Sequence, residues 1–526
     1  MLAAATALFT SCSSDNNNDL VPGNGTDTDG SRFLTVKIAP TVDSRAESDF
    51  DNGTAAESEA KTALFAFFDE NGNMSQTPQT ANLSWQTETP TDQPTSNKVS
   101  NVTVVIAGQI APSKMLVVLN PGNLVLSGKT LQACLDLTGN YSSATSGTFV
   151  MTNSSYFDDG IITATDIAEQ TYATREDAEK NPVQICVERV VAKVQTSKDQ
   201  NFVAKSTDVE VVNGSTLKLT PEIQGIEIAN VVNKAFLFKN IEGIENWKIT
   251  WPGVNSVDEQ RSYWATTAQN VDFLNQSWND ITDKFDVNQA YYIQPNTNST
   301  KTAVLVKAVL KDENDASVDL VQWSGNYYKK EEFKSTLATF LNNEGYKIVV
   351  SGTATEPTEL RNFLASDMDY VLGNSHATLV KSGKINAYQT VGRVIDIDKL
   401  TITKENIATT DGEENPRTYS AVTTAEIENY MCDNHHKLNL WEGGKAYFYT
   451  NIIHHEGHGD TFKYGVIRNH IYNLNLTSIE GLGVPVVNPE ETIIPESPKD
   501  ILYYLGAQVR ILKWRLVPTQ NVEFNN

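Results

Sequence analysis

A mostly β protein of two domains is what this sequence predicts, and three observations carry the prediction. At 526 residues the chain is too long for one ordinary hydrophobic core. Short runs rich in Val, Ile, Phe, Tyr and Thr, bounded by Gly, Asn, Asp or Pro, recur along most of its length. The remaining composition leans toward Asn, Thr, Ser and Asp, which suits solvated strands and many turns. With 41 Lys+Arg against 65 Asp+Glu, the formal charge of −24 repels phosphate backbones, so no nucleic acid partner is expected.

The first element is chemical. Residues 1–11 read MLAAATALFTS and lead into Cys12. A signal peptidase needs small side chains before its cut and a free thiol to carry diacylglycerol, so lipidation at Cys12 is expected. An ordinary signal peptide or a buried helix is the alternative. No Lys or Arg precedes the apolar run, and a start upstream of Met1 would supply one. The polar stretch that follows, SSDNNNDLVPGNGTDTDGS, has little to bury and reads as a flexible tether. No other stretch approaches the roughly 18 continuous apolar residues of a membrane helix.

Strand-like runs then follow at 33–39, 62–68, 102–106, 115–119, 183–194, 216–219, 303–310, 346–350, 446–453 and 462–476. Apolar spacing near three to four residues predicts helices at 131–137, 330–341 and 424–432, as insertions on a sandwich. The polar stretch 74–97 reads as a loop, and 195–207 reads as a joint that puts the domain boundary near residue 200. Prolines at 485, 489, 495 and 498 set off a final apolar segment. The division expected is a signal at 1–12, a tether and removable first strand at 13–45, domains at 46–199 and 200–485, and a Pro-rich linker with a terminal strand at 486–526.

Two strands look detachable. In the first, Leu34, Val36 and Ile38 fall on one face and Thr35 and Lys37 on the other. The charged loop after it carries Arg45 and Ala46, where an extracellular Arg-specific protease could cut and free the strand; solvated charge is the plainer reading of Arg45. Arg32 is the competing site, but a cut there leaves the strand in place. The second is the C-terminal strand, with Val509 and Ile511 in one phase and Leu512, Trp514 and Leu516 in the other. It is either an ordinary strand of its own domain or a strand given to a neighbour. The interleaved Arg510, Lys513 and Arg515 on so acidic a protein favour the neighbour.

Other candidate chemistry is thin. Cys134, Cys186 and Cys432 lack metal-ligand spacing and read as packing residues, with a Cys134–Cys186 bridge as the alternative. His454 and His458 stand four apart, but Glu456 does not directly follow His454, and Gly457 and Gly459 point to a loop rather than a zinc-binding helix. His435 and His436 read as a polar turn. No Gly-rich phosphate loop or nucleophile elbow occurs, and no metal, cofactor or catalytic residue is expected.

At this point the sequence resembles the fimbrillin family of Bacteroidales, the major subunits of type V pili, nearest to the short-fimbria branch with a large C-terminal domain. Four features carry the likeness: the lipobox at Cys12; Arg45-Ala46 followed by Ala63-Leu64-Phe65-Ala66-Phe67-Phe68-Asp69; the run Val187-Glu188-Arg189-Val190-Val191-Ala192-Lys193-Val194; and residues 464–476, YGVIRNHIYNLNL, with the terminal Ile511-Leu512-Lys513-Trp514-Arg515. The resemblance implies two transthyretin-like β-sandwich domains and lipid-anchored export to the outer membrane. It also implies loss of the first strand to an Arg-specific protease and filling of the groove by a strand of the next subunit. Identical subunits, accessory anchor and tip subunits, and surface receptors are the partners it implies. Five buried apolar side chains give an upper bound of roughly 8–15 kcal/mol per junction before ordering costs.

Two other functions compete: a tip or accessory adhesin, and a glycan-binding surface lipoprotein using Trp85, Trp247, Trp251, Trp264 or Trp278, for most of which core packing is the plainer reading.

Overall fold

In a computed structural model of the chain, the described residues are 32–38, 53–54, 56–88, 97–106, 111–141, 149–157, 161–185, 187–243, 264–282, 289–370, 395–396, 399–407, 417–423, 426–427, 438–454, 463–486, 489–490, 492–493, 495, 503–512 and 517–520. Among them the chain is mostly β, as the alternating apolar runs predict. The α-helices there are α1 (Leu131–Leu135), α2 (Arg175–Lys180) and α3 (Lys330–Asn343). The residues group into two compact units. One comprises the described residues of Met1–Ala192, Lys234–Val271 and Ile467–Asn469; the other those of Lys193–Asn233, Asp272–Val466 and His470–Asn526.

In the first unit the strands are β1 (Arg32–Ile38), β2 (Thr62–Phe68), β3 (Met74–Asn82), β4 (Gln86–Glu88), β5 (Asn97–Ile106) and β6 (Lys114–Leu119), with shorter ones after them. One sheet runs Val183–Ile185, β1, β5, β4; the other contains Val187–Arg189, Met151–Asn153, β6, β2 and β3. The near-continuous apolar run of β2 belongs to a strand buried on both faces. Leu64, Ala66 and Phe68 pack with Leu116, Val118, Cys134, Leu237 and Phe238. Ala63, Phe65 and Phe67, of the opposite phase, are also fully buried.

Two elements differ from expectation. The stretch read as a loop contains β3 and β4. β3 is the edge strand of its sheet and mostly half-buried or exposed, so water on one side relieves it of apolar alternation and tolerates Pro78. Helix α2 carries almost no apolar period because only Ala178 is buried. Its signals are terminal: the Thr174 hydroxyl accepts from the Asp177 N–H, Glu176 and Asp177 fill the first turn, and Glu176 pairs with Lys180 at 2.6 Å.

In the second unit one sheet runs Gln289–Ile293, Ala192–Ala204, Ile471–Gly481, Tyr503–Leu512, Val517–Gln520. The stretch read as a joint is thus largely strand, from Ala192 to Ala204. The other sheet runs Thr207–Glu210, Thr216–Ala229, Ala303–Lys311, Lys445–Asn451, Val484–Pro485. Ala303–Lys311 and Lys445–Asn451 are antiparallel neighbours, and between them the chain builds a module with its own core. There α3 buries Phe333, Leu337 and Leu341 against Trp323 and Tyr328, and Trp323 meets Phe340 edge-on at 4.7 Å. Of the helix expected at 424–432, residues 426–427 are helical and the others lie outside the described residues. Within the Pro-rich stretch, Val486 and Ile493 join the core cluster of Trp278 and Leu305.

Candidate functional site

β1 is a strand held along both edges. It pairs antiparallel with β5 over its whole length, from Arg32 opposite Ile106 to Ile38 opposite Ser100. Its other edge pairs parallel with Val183–Ile185 through Val36, Lys37 and Ile38. Nearer its start, the Phe33 N–H donates to the Tyr172 carbonyl at 2.7 Å and the Tyr172 N–H donates back at 2.8 Å. Arg32 closes the end, its Nε donating to the Thr171 hydroxyl at 2.7 Å and its Nη2 to the Thr171 carbonyl. Leu34 and Val36 are fully buried, worth together about 3–6 kcal/mol of transfer free energy. The side chain of Ile38 lies outside the described residues.

The opposite face holds a feature the alternation did not signal. Thr35, read as facing away from the core, is only 1% exposed. Its hydroxyl lies 2.9 Å from that of Thr103 on β5, and the Thr103 hydroxyl donates to Glu179 Oε1 on α2 at 3.5 Å. No local pattern could have found Thr103, Thr171, Tyr172 or Glu179, because the strand meets them only through tertiary pairing. Removing β1 exposes the facing ladder groups of β5 and Val183–Ile185 together with an apolar slot.

Arg45 and Ala46 lie outside the described residues, as does Cys12. Downstream of them the chain is pinned. The Thr54 N–H donates to Glu57 Oε2 at 2.8 Å and the Glu57 N–H to the Thr54 hydroxyl at 3.3 Å, a reciprocal cap. Arg189 then ties the segment down, its Nε donating to the Glu57 carbonyl at 2.7 Å and its Nη2 to the Ser58 hydroxyl at 2.8 Å. The expected cut therefore falls between β1 and an anchored turn.

The C-terminal strand Tyr503–Leu512 pairs antiparallel with Ile471–Gly481 of its own chain, with Val509 opposite Leu474, Ile511 opposite Tyr472 and Leu512 opposite Ile471. Its side chains, and all of Trp514 and Leu516, lie outside the described residues.

Other conspicuous side chains have structural surroundings. Glu188, 1% exposed, sits between two cations: Lys239 Nζ at 2.9 Å from Oε2 and Arg468 Nε at 3.0 Å from Oε1. Arg468 also donates to the Leu237 carbonyl at 3.0 Å and the Thr152 hydroxyl at 2.8 Å. His454 is buried with its Nδ1 at 2.8 Å from the Tyr472 hydroxyl, while His435, His436, His455 and His458 lie outside the described residues. Among the described residues no cluster of three or more His, Cys, Asp or Glu could hold a metal ion. Cys134 is a buried free thiol whose pKa burial pushes up to about 11; Cys186 and Cys432 lie outside the described residues. Trp264 and Trp278 are core residues, Trp85 is half-buried, and Trp247 and Trp251 lie outside the described residues.

Residues 439–520 match the family model described as major fimbrial subunit protein type IV, fimbrillin, C-terminal. The fimbrillin likeness read from the sequence is borne out there. No curated protein matches the chain. Among solved structures, a candidate cell adhesion protein from Bacteroides eggerthii is 14% identical, with a TM-score of 0.35 over 93% of this chain and 98% of its own. Another from Parabacteroides distasonis is 12% identical, with a TM-score of 0.37 over 92% and 96%. The tip fimbrial protein Mfa3 from Porphyromonas gingivalis, with C-terminal truncation, is 12% identical, with a TM-score of 0.30 over 92% and 100%. The family reading rests on residues 439–520.

Proposed function

From a C-terminal stretch of fimbrillin type, we infer that this chain is a structural, polymerising subunit of a bacterial surface fimbria, assembled by strand exchange and supporting adhesion. The observation that carries the reading is β1, a strand paired on both edges and followed by the segment that bears Arg45. In this reading Cys12 carries the lipid of an outer-membrane precursor, an Arg-specific protease cuts between Arg45 and Ala46, and β1 leaves with the tether. The C-terminal strand of an identical subunit then fills the slot through residues of the set Val509, Ile511, Leu512, Trp514 and Leu516. Anchor and tip subunits and surface receptors complete the list of partners. No catalytic role enters.

Arg32 supports Arg45 by contrast. A protease takes its substrate as an unpaired extended strand with the Arg side chain in a pocket. At Arg32 the backbone is paired with Ile106 and the guanidinium is bonded to Thr171. N-terminal sequencing and mass spectrometry of isolated fimbriae are expected to give subunits that begin at Ala46 and lack lipid. Arg45→Ala precursor should accumulate unassembled. Fibre subunits that retain lipidated Cys12, or normal polymer from Arg45→Ala, overturn the reading.

A further inference from the structure

We propose that Glu179 is the residue with which a subunit recognises the basic side chains of the strand donated by a second copy of this chain; the proposal rests on the strand-exchange reading. Thr35, Thr103 and Glu179 form a short relay that ends on a carboxylate. The Thr35 and Thr103 hydroxyls, 2.9 Å apart, can each donate to the other, and the Glu179 carboxylate, 3.5 Å beyond Thr103, only accepts. When β1 leaves, the slot keeps an acceptor pair at the position opposite its apolar floor. A side chain that only donates fits there, and an acidic one does not.

The donated segment supplies such a group in each of the three registers that seat neighbouring members of the set Val509, Ile511, Leu512, Trp514 and Leu516 on the apolar floor. Residues 509–516 read Val-Arg-Ile-Leu-Lys-Trp-Arg-Leu. Seating Val509 and Ile511 where Leu34 and Val36 lie places Arg510 at the Thr35 position; Leu512 and Trp514 place Lys513 there; Trp514 and Leu516 place Arg515. Alternation is symmetric, so the result holds for either strand direction. The long stem of Lys or Arg can lie along the covered slot while its head reaches the Glu179 carboxylate, which is 51% exposed. Arg175, at 2.8 Å from Oε1, holds that carboxylate in place beforehand. Two copies of a chain of formal charge −24 repel at long range, which makes a local match of opposite sign a selector of the incoming strand.

The test uses the full-length chain, cut with an Arg-specific protease that is then inhibited, and titrated with a fluorescent synthetic peptide of residues 503–520. Glu179→Gln should weaken uptake of the natural peptide about threefold at low salt, in the range of an exposed ion pair. Glu179→Lys should weaken it further, and high salt should close the gap. A peptide with Gln at 510, 513 and 515 should bind all three proteins alike. Equal uptake of the natural peptide by all three proteins refutes the role of Glu179 while leaving strand exchange standing. No uptake by any cut protein removes strand exchange itself, and this proposal with it.

Discussion

Glu227 lies half-buried in the strand Thr216–Ala229, and its carboxylate accepts from the neighbouring Ile228 N–H at 2.9 Å. Burial raises its pKa, against which that bond is the smaller effect. The folded state therefore holds this proton more tightly than the unfolded chain does. Its contribution is full below the unfolded carboxyl value and is lost as pH rises through the raised folded value. Glu227→Gln keeps the acceptor and removes the charge, so it should stabilise the protein by about 1 kcal/mol at pH 7. Thermal melts at pH 7 and pH 4 check this, because the gain should shrink on acidification; a gain that grows at pH 4 contradicts the sign. At this scale the slot is only partly legible in the sequence. Leu34 and Val36 were legible from alternation, because a strand's period is local. The burial of Thr35 was not, since Thr103 and Glu179 lie 68 and 144 residues further along.

Among elements, the two terminal strands are the ones that strand exchange would move, and the second pairs along Ile471–Gly481 of its own chain. Truncation after Pro498 removes Tyr503–Leu512, yet Ile471–Gly481 keeps Ala192–Ala204 as a parallel partner, and Val486 and Ile493 stay in their core cluster. The truncated chain is expected to melt cooperatively and to form no polymer. Circular dichroism and electron microscopy read the two outcomes. An unfolded monomer would instead assign the strand to its own unit's core, where it pairs in this structure, and normal fibres would remove it from assembly. Elements with an apolar period, such as α3, were readable in advance. Edge strand β3 and helix α2 were not, because neither buries a regular face.

The whole molecule adds what no single element shows. The first unit takes in residues 234–271 and 467–469, and its core depends on them: Leu237 and Phe238 pack in it, and Lys239 and Arg468 flank the buried Glu188. A fragment ending at residue 233 leaves that carboxylate without either cation, and an uncompensated buried charge costs about 3–5 kcal/mol. We expect such a fragment not to fold, and Arg468→Met to cost the full chain a similar amount in denaturant melts. A cooperative melt of the fragment at the temperature of the full chain would contradict this. The sequence by itself determined the strand-rich character, the acidic surface and the positions of the two terminal strands, because composition and a period of two residues are local properties. Only the tertiary structure decided that β1 is clasped on both edges, that Thr35 meets Thr103 and through it the region of a carboxylate, and that Arg468 pairs with the buried Glu188, far earlier in the chain. Those facts depend on which distant segments meet, and in a sheet protein hydrogen-bond pairing between remote strands makes that choice.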